Sequence, residues 1–251
     1  MTDNSTCLVR AAYTAETITV YQAYGPQIAD PAVRAGTFVP PFSRDRMTWI
    51  KPSFGWMMHR CGWAGKPGQE RVLAIEISRA GFEWALAHSC LSHYRPGLHA
   101  SPDAWAAMKD SSPVRIQWDP DRSLAGERLG HRAVQVGLSG DAVRRYAGEW
   151  ILSISDITAV ARAIGQLAPA DRAYEAARRL PAERVYPLGP VLAARIGADQ
   201  CNAAPRGGRP HPRVWGRPRA LAWRCRGVAG WPGREGAPAL RPATQPVRVA
   251  E

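Results

Sequence analysis

A chain of 251 residues with 45% apolar and 22% charged residues is long enough to bury a sizeable core, which sets it apart from disordered and fibrous classes. Its five cysteines are odd in number, widely spaced and free of any C-x-x-C pair, which argues against a disulfide scaffold and fits a reducing compartment. The formal net charge of +12 is unevenly spread: ten Arg stand against three acidic residues from Ala198 onward, and the preceding body is only mildly basic.

The first clear element is a strand over Thr17–Tyr24, where Ile18 and Val20 alternate with Thr19 and Tyr21 and Gln22 falls on the Ile18/Val20 face. Gly25-Pro26 ends it. A short helix follows from Gln27 to Ala35, closed by Gly36, and Thr37-Phe38-Val39 is the next expected strand, stopped by Pro40-Pro41. The stretch from Arg46 to Trp63 concentrates Trp49, Trp56, Trp63, Phe54, two Met and several cations. Pro52 keeps Lys51 extended, Ser53 is a good N-cap and Gly62 a good C′ residue, so a helix is expected over Phe54–Cys61. Lys51 beside the free amides of that helix makes a candidate seat for a phosphate or carboxylate. The alternative is a solvated Lys51 next to a helix that merely packs Phe54, Met57, Met58 and Cys61 inward.

Arg71–Ile77 gives the cleanest strand pattern, and Ser78 caps a helix reaching about Ser89. Ser101-Pro102 opens a small helix to Met108; Val114–Trp118 is a strand ended by Asp119-Pro120; Arg122–Gly130 reads as a loop; Arg132–Leu138 is a further strand. Ser139-Gly140-Asp141 opens a helix whose Val143, Tyr146 and Trp150 share a face and whose end carries Glu149. Ile151–Ile154 is the last expected strand, followed by a helix capped by Asp156 or Thr158 through Leu167 and another over Arg172–Leu180. Strands and helices do not alternate regularly, so an α+β fold with a mixed, mainly antiparallel sheet core and flanking helices is predicted for residues 1–197. From 198 to 251 the Arg/Gly/Pro/Ala-rich composition has no apolar period and reads as a disordered basic tail, dispensable for folding.

No apolar run spans a bilayer and the N-terminus lacks signal-peptide regions, which points to the cytoplasm and to no membrane partner. His88, Cys90, His93, His59 and Cys61 match no standard zinc spacing, so no metal is expected. Nucleophile-elbow, zinc-protease, P-loop and dinucleotide-fingerprint motifs are absent from the sequence.

Residues 8 to about 197 resemble a bacterial and fungal family catalogued as a domain of unknown function, DUF 4291. The resemblance is carried by Val20–Tyr24, by Arg46–Phe54 with Trp56-Met57-Met58, by Lys66–Leu73, and by Ser112–Pro120 and Gln135–Leu138 through Glu149-Trp150-Ile151. More distantly, the element order resembles the ADP-ribosyltransferase fold, in which a His or Arg on the first strand, a Tyr or Ser on the second and a late Glu surround NAD. That resemblance implies an NAD-using transferase with Gln22, Ser53 and Glu149 at the catalytic places, although Gln22 departs from the His or Arg of that pattern. Lys51 would then hold the pyrophosphate, with Tyr21, Tyr24 or Trp49 stacking on nicotinamide. The competing expectation is a non-catalytic nucleic-acid-binding module in which Arg44, Arg46, Lys51 and Arg60 meet phosphates and the Trp residues stack on bases.

Overall fold

The computed structural model describes residues 5–168 and 172–199. The chain divides into units at Met1–Ala204 and Pro205–Glu251, and the latter lies outside the described residues, as does the expected tail from residue 200 onward.

Two short pieces, β1 (Thr6–Cys7) and β2 (Arg10–Ala11), lead into β3 (Thr17–Tyr24), whose alternation buries Ile18, Val20 and Gln22 on one face and Tyr21 on the other. Helix α1 (Pro26–Ala35) begins with Pro26 in its first turn and ends at Gly36, whose left-handed backbone suits glycine. Thr37–Val39 is not a strand. Phe38 is fully buried instead by aromatic neighbours, stacking on Phe42 and meeting Tyr24 edge-on, so ring packing takes the place of a ladder.

After β4 (Thr48–Ile50), α2 (Phe54–Cys61) has the bounds expected of it: the Ser53 hydroxyl accepts from the Trp56 N–H at 3.3 Å, and Gly62 is left-handed at the C-terminus. Next come β5 (Arg71–Ser78), α3 (Arg79–Ala87) capped by Ser78, β6 (Ser89–Leu91) and α4 (Pro102–Ser111). β7 (Val114–Arg122) and β8 (Arg128–Leu138) run further than expected. Pro120 is tolerated inside β7 because the register shifts next to it, and the loop shrinks to a turn closed by the Ser123 N–H on the Glu127 carbonyl. Helix α5 (Asp141–Arg145) continues into a π-helical turn at Tyr146–Trp150, then β9 (Ile151–Asp156) and α6 (Thr158–Leu167). Of the two caps considered for α6, Asp156 accepts the Thr158 N–H, whereas the Thr158 hydroxyl turns away to accept from Val72. α7 (Ala173–Arg179), β10 (Arg184–Val185) and α8 (Pro190–Ile196) close the described chain; Asp199 then exchanges bonds with Cys7.

The fold is α+β with mixed, mainly antiparallel sheets. One sheet has the order β3-β5-β9; another has the order β1-β8-β7-β6, with β4 also on β8; β2 and β10 form a small third. The backbones of β3 and the β4 segment join at a bridge between Tyr21 and Lys51. The main core fills one side of both large sheets, with Ile18, Val20, Ile75, Val136, Leu138, Tyr146 and Trp150. A second, smaller core covers the other side of the β3-β5-β9 sheet, where α2 and α6 pack Phe54, Met58, Cys61 and Ile164 around Tyr21 and Val72. The polar residues of β4, β8 and β7 collect on the same side of the other large sheet, where Lys51 and Gln135 are buried.

Candidate functional site

Register decides which side chains share that side. Gln117 pairs with Gln135 and Arg115 with Gly137, while Trp49 pairs with Gly137 from the other edge, so directly opposed residues and their second neighbours face one way. That puts Trp49 and Lys51 of the β4 segment, Gln135 of β8, and Gln117 and Asp119 of β7 on a single face. The opposite face of the same strands, Thr48, Ile50, Val134 and Val136, is buried.

Gly137 is required here for close approach: a Cβ on it would lie 2.8 Å from Met47 Sδ and 3.0 Å from the Trp49 ring, so the indole rests directly on the strand backbone. Asp119 is held from two sides. Gln117 Nε2 donates to Oδ1 at 2.8 Å and Gln135 Nε2 donates to Oδ2.

Lys51 is the unusual member. It is 8% exposed, so it is not the solvated lysine considered from sequence. Its Nζ donates to the Trp49 carbonyl at 3.3 Å and forms no ion pair with a described carboxylate. Burial, reinforced by the charge of Arg60, lowers its amine from 10.5 to about 8, while the charges of Asp119 and Cys61 work in the other direction. A buried ammonium with a single neutral acceptor is poorly compensated, and an anionic ligand would complete it.

The expected anion seat at the start of α2 is occupied by the protein itself. Glu183 Oε1 accepts the Phe54 N–H at 2.5 Å, and Ser53 takes the Trp56 N–H, so a carboxylate from the far end of the chain sits where a phosphate was expected. Ser53 is buried, and its hydroxyl serves the helix. Burial raises Glu183 from 4.5 to about 7; the Phe54 N–H and Arg10 oppose that rise and Asp121 adds to it.

The residues expected at the catalytic places are not brought together. Gln22 is 2% exposed, and both ends of its amide are engaged: Nε2 donates to the Tyr24 hydroxyl, Thr48 Oγ1 and the Trp49 carbonyl, and Oε1 accepts from the Tyr146 hydroxyl. It is the hub of a closed network in the main core and has no atom left for a substrate. Glu149 is exposed and pairs with Arg145 at 3.6 Å, on the π-helical turn that packs into the main core, across the sheets from Lys51. Among the expected stacking residues, Tyr21 meets Phe54 edge-on inside the second core and Tyr24 belongs to the Gln22 network, which leaves Trp49 on the Lys51 face. Trp56 stacks on His59 and Trp63 meets Phe54, so the three tryptophans spaced by seven do not form one row. Arg44, Arg46 and Arg60 are exposed, whereas Lys51 is buried. Among the described residues no group of three or more His, Cys, Asp or Glu is placed to hold a metal ion, and no helix is long and apolar enough to cross a membrane.

Asp119, Gln117, Gln135 and Glu183 were missed from sequence. Gln117 and Gln135 carried a legible signal as polar positions within expected strands, Asp119 was expected in a turn, and Glu183 carried no signal.

A family model described as "Domain of unknown function (DUF4291)" matches residues 8–186. No curated protein matches the chain.

Proposed function

The chain belongs to the DUF4291 family, and from the chemistry of its Lys51 face we propose that it binds NAD and acts as an ADP-ribosyltransferase-like transferase. The observation that carries this reading is the buried Lys51 amine, which has one neutral hydrogen-bond acceptor and no carboxylate partner. A pyrophosphate is the kind of dianion that would compensate it. Trp49, fixed over Gly137, offers a ring face beside it for a base or nicotinamide.

Asp119, rather than Glu149, takes the role of the carboxylate. In the transfer, the bond between nicotinamide N1 and ribose C1′ breaks with its electron pair going to the pyridinium nitrogen. Positive charge develops at C1′, and a nucleophilic acceptor forms the new bond to C1′ and releases its proton. A carboxylate oriented in advance by Gln117 and Gln135 stabilises that charge without reorganising. Gln22, Tyr24 and Ser53 act in this reading as positioning residues, through Thr48 and the start of α2.

The test uses the full chain, titrated with NAD in a calorimeter and assayed for nicotinamide release. Lys51→Met is expected to abolish binding. Asp119→Asn is expected to keep binding and lose at least a hundredfold in nicotinamide release. Absence of NAD binding, or equal binding by Lys51→Met, overturns the proposal.

A further inference from the structure

Strand register fixes an order along the Lys51 face as well as its membership. One row across the strands is Trp49, Gly137 and Arg115, the outer two both paired with Gly137. Two residues further on come Lys51, level with Gln135, and Gln117; two further again come Ala133 and Asp119. Lys51 therefore lies between the Trp49 row and the Asp119 row. With a pyrophosphate on Lys51 and the reacting ribose at Asp119, the ring surface left for the other half of a dinucleotide is the half-buried Trp49, so the adenosine half belongs on that row.

Arg115 closes the Trp49 row on β7. It is half-buried, and its Nη1 donates to the Ser112 carbonyl at 2.6 Å and to the Val114 carbonyl at 3.4 Å, two backbone oxygens that fix the guanidinium and leave its charge uncancelled. It forms no ion pair with a described carboxylate. Its partner on β6 is Cys90, and the charges that act most strongly on that buried thiol are those of Arg115, Arg195 and Lys109. Arg195 Nε donates to the Ser89 carbonyl and Lys109 lies over the Trp105 ring, again without an ion pair to a described carboxylate. Positive charge thus gathers beside the Trp49 row, on the opposite side of Lys51 from Asp119.

From the backbone of Lys51 to that of Arg115 is two strand spacings across and two residues along, roughly 12 Å. The Arg115 side chain also turns toward Ser112, away from Lys51. That separation suits a phosphate carried by the ribose of an adenosine seated on Trp49, rather than the pyrophosphate itself. Resting on the NAD reading of this face, we propose that Arg115 selects a dinucleotide with a further phosphate on its adenosine ribose, NADP over NAD, with the adenine on Trp49 and that phosphate on Arg115. A guanidinium held by backbone oxygens offers its remaining N–H groups as a fork to phosphate oxygens, and the uncharged ribose hydroxyl of NAD gains nothing comparable from it. Arg115 sets specificity and does not touch the bond that breaks.

The full chain is titrated by calorimetry with NADP and with NAD, at low and at high salt. Wild type is expected to bind NADP at least tenfold more tightly than NAD at low salt, and the ratio should shrink at high salt because the added contact is ionic. In Arg115→Ala the two dinucleotides should bind within twofold of each other, whereas Lys51→Met should lose both. Equal binding of the two by wild type, or an NADP preference kept in Arg115→Ala, overturns this inference and leaves the NAD reading standing. Failure of wild type to bind either overturns both. If Arg115→Ala does not fold, Arg115→Gln, which keeps a donor for the Ser112 carbonyl, is read in the same way. If neither variant folds, the wild-type ratio decides, and a preference unmoved by salt overturns the inference.

Discussion

Glu183 holds the first amide of α2: its Oε1 accepts the Phe54 N–H at 2.5 Å across 129 residues of sequence. The contact ties the strap between α7 and β10 to the helix that builds the second core. It also places a titratable group in a buried setting, with consequences that depend on pH.

Burial raises that carboxyl to about 7 from 4.5, so the folded chain binds the proton more tightly than the unfolded chain does. Its contribution to stability is complete below about pH 4.5 and is lost as pH rises through about 7. Glu183→Gln keeps an acceptor for Phe54 and cannot ionise. It should exceed wild type in stability at about pH 8 by ~1–3 kcal/mol, with the gap closing near pH 5. Melting curves of both proteins across that range check this, and a gap that does not change with pH would refute it.

Lys51 gives the opposite slope at the alkaline end. Its amine is lowered to about 8 from 10.5, chiefly by burial, so the unfolded chain binds the proton more tightly. The stability it contributes is complete above about pH 10.5 and is lost as pH falls through about 8. At neutral pH Lys51→Met should therefore be at least as stable as wild type, by up to ~1–3 kcal/mol, while losing the NAD binding proposed above. Denaturant titrations at about pH 7 and pH 10 should show the advantage of the variant shrinking.

The network around Gln22 should behave as a structural unit. Tyr146→Phe deletes the hydroxyl that donates to Gln22 Oε1 at 2.8 Å and should cost about 1–2 kcal/mol. Gln22→Leu removes the acceptor of the Tyr146 hydroxyl and the Nε2 donor shared by Tyr24 and Thr48, whose hydroxyls keep only each other, and should cost more, about 2–4 kcal/mol. The double variant should cost less than the sum, because the two changes remove one shared bond, and a double-mutant cycle by urea unfolding measures that coupling.

Packing of α3 on the π-helical turn depends on one missing methyl group. A Cβ on Gly81 would fall within the Trp150 indole, whereas a Cβ on Gly148 would meet nothing within 4 Å. Gly81→Ala should destabilise by about 1–3 kcal/mol, with Gly148→Ala as a near-neutral control. Comparable melting temperatures for the two would show that Trp150 can move aside.

The features that were legible in the sequence are those whose causes lie within a few residues of one another. The bounds of α2 follow from Ser53 and Gly62, the faces of β3 and β5 from two-residue alternation, and the start of α4 from Ser101-Pro102. On the Lys51 face, Gln117 and Gln135 were visible as polar positions in expected strands, whereas Asp119 was expected in a turn. Tertiary structure alone decided what those positions became, because strand pairing and layer packing join residues far apart in the chain. Phe38 is buried without a ladder because three aromatic neighbours enclose it, and no local pattern reports that. Gln22 became a core hub because Thr48 and Tyr146, 26 and 124 residues away, close on its amide. Lys51 became a buried amine, and Asp119 rather than Glu149 its neighbouring carboxylate, because the β4-β8-β7 register set them on one face, while the π-helical turn carried Glu149 to the other side of the sheets.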